Sequence, residues 1–389
     1  LLKTILRAPV DMIWNGGIGT FVKASNEKNH EVGDRTNDNI RIDGSELRAR
    51  VVCEGGNLGL TQLGRIEYEL SGGKINTDFI DNSAGVDCSG REVNIKILLN
   101  NVMSNGVLGE RQRNQLLVKM TDEVAELVLQ DNYHQNEVIS YASYMSPTIL
   151  PLLISYMDYL FEKKLVNRSL EFLPDKQALL DRRSAGLGLT KPELSILLAY
   201  TKNILVERIC KSDLPDDPCL EYYVKEAFPT LLRKRYLSQM LSHRLKREII
   251  STQISNHLVS DMGIVFFYSL YDETGASVSD IVRSYEVCKT IFDSDGFNSD
   301  IQSLDFMVNT KIQHDMRREV IQLMRRACRW FLRNHESQIH ITQIILRYKK
   351  SVASLFKRIP KLLIGNDKHE IETQRDKLIS EHVPADIAM

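Results

Sequence analysis

The chain has 389 residues, 43% hydrophobic and 26% charged, enough for two or three domains and too apolar for a disordered polypeptide. Its formal charge of −1 supplies no global field to recruit nucleic acid or an anionic membrane. The longest nearly pure apolar stretch, 262–271, is about half of the ~20 residues that cross a bilayer, and the run 149–161 holds Pro151 and Asp158, so neither is expected to span one.

The opening Leu-Leu-Lys lacks an initiator Met and meets a glycine cluster too early for a secretory segment, which predicts a piece of a longer polypeptide. Fifteen of the 21 glycines stand at or before Gly109, so the first hundred residues read as loop-rich and the rest as long elements. Residues 10–14, 50–53 and 78–80 predict strands. Helices are predicted between them over 45–49 and 61–70, the second stopped at Gly72-Gly73. That alternation predicts parallel pairing through crossover helices.

From Ser89 onward the apolar period becomes 3.6. Ser89-x-x-Glu92 predicts a capping box opening a helix that stops near Gly106. Residues 112–130 place Leu116, Leu117, Met120, Val124, Leu127 and Val128 on one face. Thr190-x-x-Glu193 is a second capping box, and 230–258, 277–292 and 310–334 predict further helices. The fold class expected is therefore α/β, a partial Rossmann-like dinucleotide-binding unit over 1–105, followed by an all-α domain over 106–368 and a loosely held tail over 369–389.

The six cysteines (Cys53, Cys88, Cys210, Cys219, Cys288, Cys328) form no C-x-x-C, which favours reduced thiols in a cytoplasm. The nine histidines show neither H-E-x-x-H nor an i, i+4 pair, so no metal site is expected.

The loop at the exit of each expected strand is the informative feature. Asp11–Trp14 runs into Asn15-Gly16-Gly17-Ile18-Gly19, Val51–Cys53 into Glu54-Gly55-Gly56-Asn57, and Phe79-Ile80 into Asp81-Asn82-Ser83-Ala84-Gly85. Ligands of open α/β sheets bind outside the carboxyl ends of the strands. Small residues let the backbone approach a flat ligand, and an Asn amide offers both a donor and an acceptor. Any one such loop is an ordinary turn; three in succession suggest a lined crevice. The G-x-G-x-x-G fingerprint is absent.

These segments, with Gly33-Asp34-Arg35, Leu58-Gly59-Leu60-Thr61, Asp131-Asn132-Tyr133, Glu171-Phe172-Leu173-Pro174, 188–194 and 212–218, resemble the large bacterial type of NAD-specific glutamate dehydrogenase. The likeness fades only after about residue 340. It implies a C-terminal portion of an enzyme that oxidises L-glutamate to 2-oxoglutarate and ammonia with NAD, homo-oligomeric when complete. It also implies roles: Gly16 and Gly17 pass close to the cofactor, Asn57 and Asn82 contact its nicotinamide side, and Ser89 holds the substrate's side-chain carboxylate. Ser89 has a competing task as a helix cap. Gly56 stands where the family's loop has Ala. The family's catalytic Lys and Asp match nothing here, so no catalytic residue is expected and the isolated chain is expected to be inactive.

Two other readings compete. Between Lys311 and Lys361 thirteen Lys or Arg face three acids (Asp315, Glu319, Glu336), which suggests a phosphate-binding stripe, although the whole-chain balance favours a solvated face and neither nucleic acid nor membrane is an expected partner. The helical part is alternatively a structural or regulatory module.

Overall fold

In a computed structural model that describes residues 1–334 and 339–388, two four-residue strands, β1 (Met12–Asn15) and β4 (Val51–Glu54), pair in parallel. Met12 lies opposite Val51 and Asn15 opposite Glu54. A second parallel pair joins β2 (Val22–Lys23) to β3 (Ile42–Asp43). Glu336 and Met389 lie outside the described residues.

The expectation of an α/β Rossmann-like unit is corrected here. The chain is about 70% helical and only 4% strand. Among the described residues the sheets are two separate pairs, and residues 78–80 form no strand. Residues Asp78–Asp81 instead form a short helix after the extended Thr77. The reason is the aspartates flanking Phe79-Ile80. Asp78 accepts hydrogen bonds from Leu58 N (2.7 Å) and Phe79 N (2.9 Å), so its carboxylate serves a helix N-terminus better than a strand ladder. The expected 45–49 helix is a single 3₁₀ turn, Gly44–Glu46.

One unit comprises Leu1–Glu207 and Glu221–Ser260. Its sheet-bearing end is held by Val22, Ile42, Leu47, Ala49, Val52, Leu60, Tyr68 and Ile75, and the Tyr68 hydroxyl donates to Ala49 O at 2.7 Å. The Gln62–Leu70 helix carries Tyr68 into this core; Thr61 caps its start and Gly72, at φ +100°, follows its end.

The Ser83–Ser104 helix starts seven residues earlier than the capping box predicts, with Asn82 rather than Ser89 at its cap position. Glu92 pairs with Lys96 one turn on, so Ser89 sits mid-helix and caps nothing. Next comes a 53-residue helix, Glu110–Glu162, with Pro147 and Pro151 inside it. Among the described residues this one helix is long and apolar enough to cross a membrane by length and composition, and 33% of its most apolar window is buried in protein. The expected 230–258 helix breaks into Thr230–Arg235, Leu237–Leu241 and Lys246–Met262. Tyr236 leaves helical geometry at φ −129°, and His243 Nδ1 accepts Leu245 N at the second break.

The other unit is Arg208–Leu220 with Asp261–Met389, and the regular elements among its described residues are helices. Val278–Phe292, capped by Ser277, is its buried centre, and Thr310–Asn334 and Ile341–Leu362 pack on it. A last helix, Gly365–Ser380, precedes Val383, which is buried with Leu304 and Val308.

Candidate functional site

Pairing of Asn15 with Glu54 makes the two glycine loops leave the sheet side by side. Gly56 N donates to Asn15 O at 2.9 Å. A Cβ on Gly56 would stand 2.3 Å from the Gly17 carbonyl oxygen, and one on Gly59 only 1.7 Å from Asn15 Nδ2. The Trp14 ring would lie 2.6 Å from a Cβ on Gly55 while remaining 61% exposed. At 56 the obstacle is backbone, so glycine is required there by close approach; at 55 and 59 a methyl group would displace the Trp14 and Asn15 side chains.

Below the loops lies a buried ionic cluster that sequence reasoning missed. Glu54, wholly buried, accepts Arg65 Nε at 2.6 Å and Arg65 Nη2 at 3.0 Å, and it also accepts Leu60 N at 3.0 Å. Arg65 Nη2 lies 3.3 Å from Asp78 Oδ1. Glu54 N donates to Asp81 Oδ2 at 2.9 Å. Burial pushes the Glu54 and Asp81 carboxyls up. On Arg65 burial pulls down but is outweighed by the Glu54 hydrogen bond and charge, with the Asp78 and Asp81 charges adding to it, so the guanidinium is held protonated. One cation therefore ties the end of β4 to the Gln62–Leu70 helix and to the Asp78–Asp81 helix. A signal was present: each Gly/Asn loop after residue 50 is entered from an acid, Glu54 or Asp81.

That docking decides where Asn82 goes. Asn82 Nδ2 donates to Asn57 Oδ1 at 2.6 Å. Further support comes from the long helix, where Asn132 Nδ2 donates to Ile80 O (2.8 Å) and Ser83 Oγ (2.9 Å). Arg91, held by Asp87 and Asp131, fixes the next turns, and burial pushes the Asp87 carboxyl up to about 6. Of the residues singled out in the sequence, Gly16, Gly17, Asn57 and Asn82 are brought together. Ser89 is not among them: it is exposed seven residues beyond Asn82, roughly 10 Å along the helix axis.

A family model described as "Glutamate dehydrogenase, C-terminal" matches residues 186–389, and one described as "Bacterial NAD-glutamate dehydrogenase, catalytic domain" matches residues 1–142. The chain belongs to the glutamate dehydrogenase family. It is similar to curated proteins named NAD-specific glutamate dehydrogenase. That of Halomonas elongata is 44% identical over 388 residues, and that of Pseudomonas aeruginosa 44% over 384. The Mycobacterium tuberculosis relative is 41% identical over 390 residues. These alignments cover 99–100% of this chain but 24% of each relative, so the chain spans about a quarter of the length of the curated glutamate dehydrogenases it matches. In this chain the loop at Gly56 uses the space of its missing methyl group to close on Gly17.

Proposed function

We propose that this chain forms part of an NAD-dependent glutamate dehydrogenase, which oxidises L-glutamate to 2-oxoglutarate and ammonia, and that these 389 residues alone do not catalyse the reaction. The observation that carries this reading is the convergence of Asn57 and Asn82 beside the Gly16-Gly17 and Gly55-Gly56 loops, in a chain of this family.

Three features support a fit to the nicotinamide end of NAD. Close-packed glycine backbones leave flat, side-chain-free surface. The asparagine pair leaves one donor, Asn57 Nδ2, and one acceptor, Asn82 Oδ1, outside its own hydrogen bond, which matches the groups of a carboxamide. Asn15 Nδ2 is buried with no hydrogen-bond partner at the same strand end. At such a site the nicotinamide would supply the acceptor for the hydride removed from glutamate. This chain's residues would orient it: Asn57 and Asn82 through the carboxamide, Gly16 and Gly17 through their backbone. Ser89 would meet the substrate's side-chain carboxylate. No residue here is assigned the proton transfers, which need a positioned acid or base.

The same reading puts the enzyme in the cytoplasm, supported by six free thiols, and makes it homo-oligomeric. Val118 and Leu129, exposed on the long helix, are apolar residues available to such an interface.

The test is Asn82→Ala in a full-length enzyme carrying this segment. The KM for NAD should rise about tenfold, the loss of one or two hydrogen bonds, while the protein stays folded, with at most about 1 kcal/mol of stability lost. Unaltered NAD kinetics would remove Asn82 from the site.

A further inference from the structure

The Ile341–Leu362 helix changes surroundings half-way along. Ile341 and Ile344 are buried against the rest of their unit, and Tyr348 lies edge-on to Phe331 and Trp330. The same stripe, continued at helical spacing, comprises Val352, Leu355, Phe356, Ile359, Leu362 and Leu363. There it runs out over open surface. Leu355 is 51% exposed, Leu362 61% and the neighbouring Ile364 82%, while Phe356 keeps one edge-on contact with Phe292. Val352, Ile359 and Leu363 stay half-buried, so the uncovered part of the stripe is its edge from Leu355 to Ile364, about two turns and a half.

The opposite face is basic. Between Ile341 and Ile364 stand Arg347, Lys349, Lys350, Lys357, Arg358 and Lys361, with no acid. At 100° per residue, Lys350, Lys357, Arg358 and Lys361 cluster within roughly a 100° sector on the side away from Leu355 and Ile359. A strongly basic face, a continuous apolar face and exposure of both are the pattern of a helix that lies in the interface of a bilayer.

We propose that the second half of this helix is a docking surface for an anionic lipid bilayer. The apolar stripe enters the acyl boundary while the basic face meets anionic headgroups. Charge favours the bilayer over a second copy of the chain, because two copies joined through their apolar stripes would leave both basic faces turned outward without counter-charge, whereas anionic headgroups supply it. The apolar stripe argues against nucleic acid, which offers it nothing to bury against. Moreover, the neighbouring arginines of Thr310–Asn334 are largely engaged. Arg317 is buried, Arg318 pairs with Asp315 at 3.0 Å, and Arg325 and Arg329 both reach Glu273. The whole-chain charge of −1 conceals this local excess, and a helix lying on a surface needs no membrane-spanning segment.

The experiment is co-sedimentation of the 389-residue chain with vesicles of phosphatidylcholine alone or of equal parts phosphatidylcholine and phosphatidylglycerol, at low and high salt. Binding is expected only to the anionic vesicles and should fall with salt. Lys357→Glu/Arg358→Glu/Lys361→Glu should weaken it about a hundredfold or more. Leu355→Ser/Leu362→Ser, at exposed positions, should weaken it about tenfold or more with unchanged circular dichroism. The proposal is overturned by no binding at low salt, by equal binding to neutral vesicles, or by variants that bind as the parent does. It is equally overturned if the parent binds duplex DNA in place of vesicles, or if light scattering shows a dimer that either variant abolishes.

Discussion

Asn82, at the start of a 22-residue helix, donates to Asn57, in the loop after β4, across 2.6 Å. The bond links two segments that are 25 residues apart and brings two amides to one place. Because the pair is exposed, its energetic coupling should be small, about 0.5–1 kcal/mol in a double-mutant cycle of Asn57→Ala and Asn82→Ala followed by urea unfolding. Strict additivity would show that the two side chains do not meet in solution.

Arg65 is the cation on which the local geometry rests. Arg65→Met leaves Glu54 and Asp78 buried without their counter-charge and should destabilise the chain by about 3–5 kcal/mol. Chemical denaturation measures it. A loss under about 1 kcal/mol would mean that water reaches the cluster. Because Asp78 and Asp81 position Asn82, the same variant in a full-length enzyme should also raise the KM for NAD.

Gly56 and Gly17 offer a matched pair. A methyl group on Gly56 meets the Gly17 carbonyl at 2.3 Å, a backbone atom that cannot rotate away, whereas a Cβ on Gly17 meets nothing within 4 Å. Gly56→Ala should therefore cost about 1–3 kcal/mol, and Gly17→Ala less than about 1 kcal/mol, in thermal or urea unfolding. Equal effects would separate the two loops.

Ser89 separates a binding role from a structural one. It is exposed and inside a helix, where Ala is the better helix former by roughly 0.5 kcal/mol, so Ser89→Ala should leave stability equal or slightly raised. Under the proposed role, the same change in a full-length enzyme raises the KM for glutamate and leaves that for NAD alone. A stability loss above about 1 kcal/mol would restore it as a cap.

The sequence made some of this visible because chemistry and position coincide. Asn57 and Asn82 follow glycine or acid at element ends, and such ends are where backbone groups need partners. Thr190 and Glu193 make the reciprocal half of the capping box that their spacing suggests: Glu193 accepts Thr190 N at 2.7 Å, and it also accepts the Thr190 hydroxyl at 2.8 Å. Ser89 and Glu92 have the same spacing, yet Lys96 captures the Glu and the helix begins earlier at Ser83. Asp78-Phe79-Ile80 reads as a strand by its apolar pair, but Leu58 N, distant in sequence, recruits the Asp78 carboxylate into a helix start. Three-residue apolar runs carry no period, so tertiary partners decide them. The Glu54–Arg65 pair was hidden for a similar reason: its 11-residue separation crosses a strand end and a helix, and no local repeat marks it.

Glu69 gives a pH test of the way the Gln62–Leu70 helix meets the start of Lys191–Cys210. Its carboxylate accepts Lys191 N at 2.8 Å, and Gln62 Nε2 donates to Pro192 O at 3.1 Å beside it. Burial pushes the Glu69 pKa up to about 7, against the opposing pull of the Lys191 hydrogen bond and charge. A carboxyl whose folded pKa lies above its unfolded one favours the folded state most when protonated. Its contribution is fully present below about pH 4.5, is lost as pH rises from there to about 7, and is constant above. The span corresponds to about 3 kcal/mol at most. Glu69→Gln keeps an acceptor for Lys191 N and removes the ionisation. Its urea stability relative to the parent should therefore rise by about 1–3 kcal/mol between about pH 5 and pH 8, in that direction only. A difference that stays flat over this range would place the Glu69 carboxyl in water, and the junction between the two helices would then rest on Gln62.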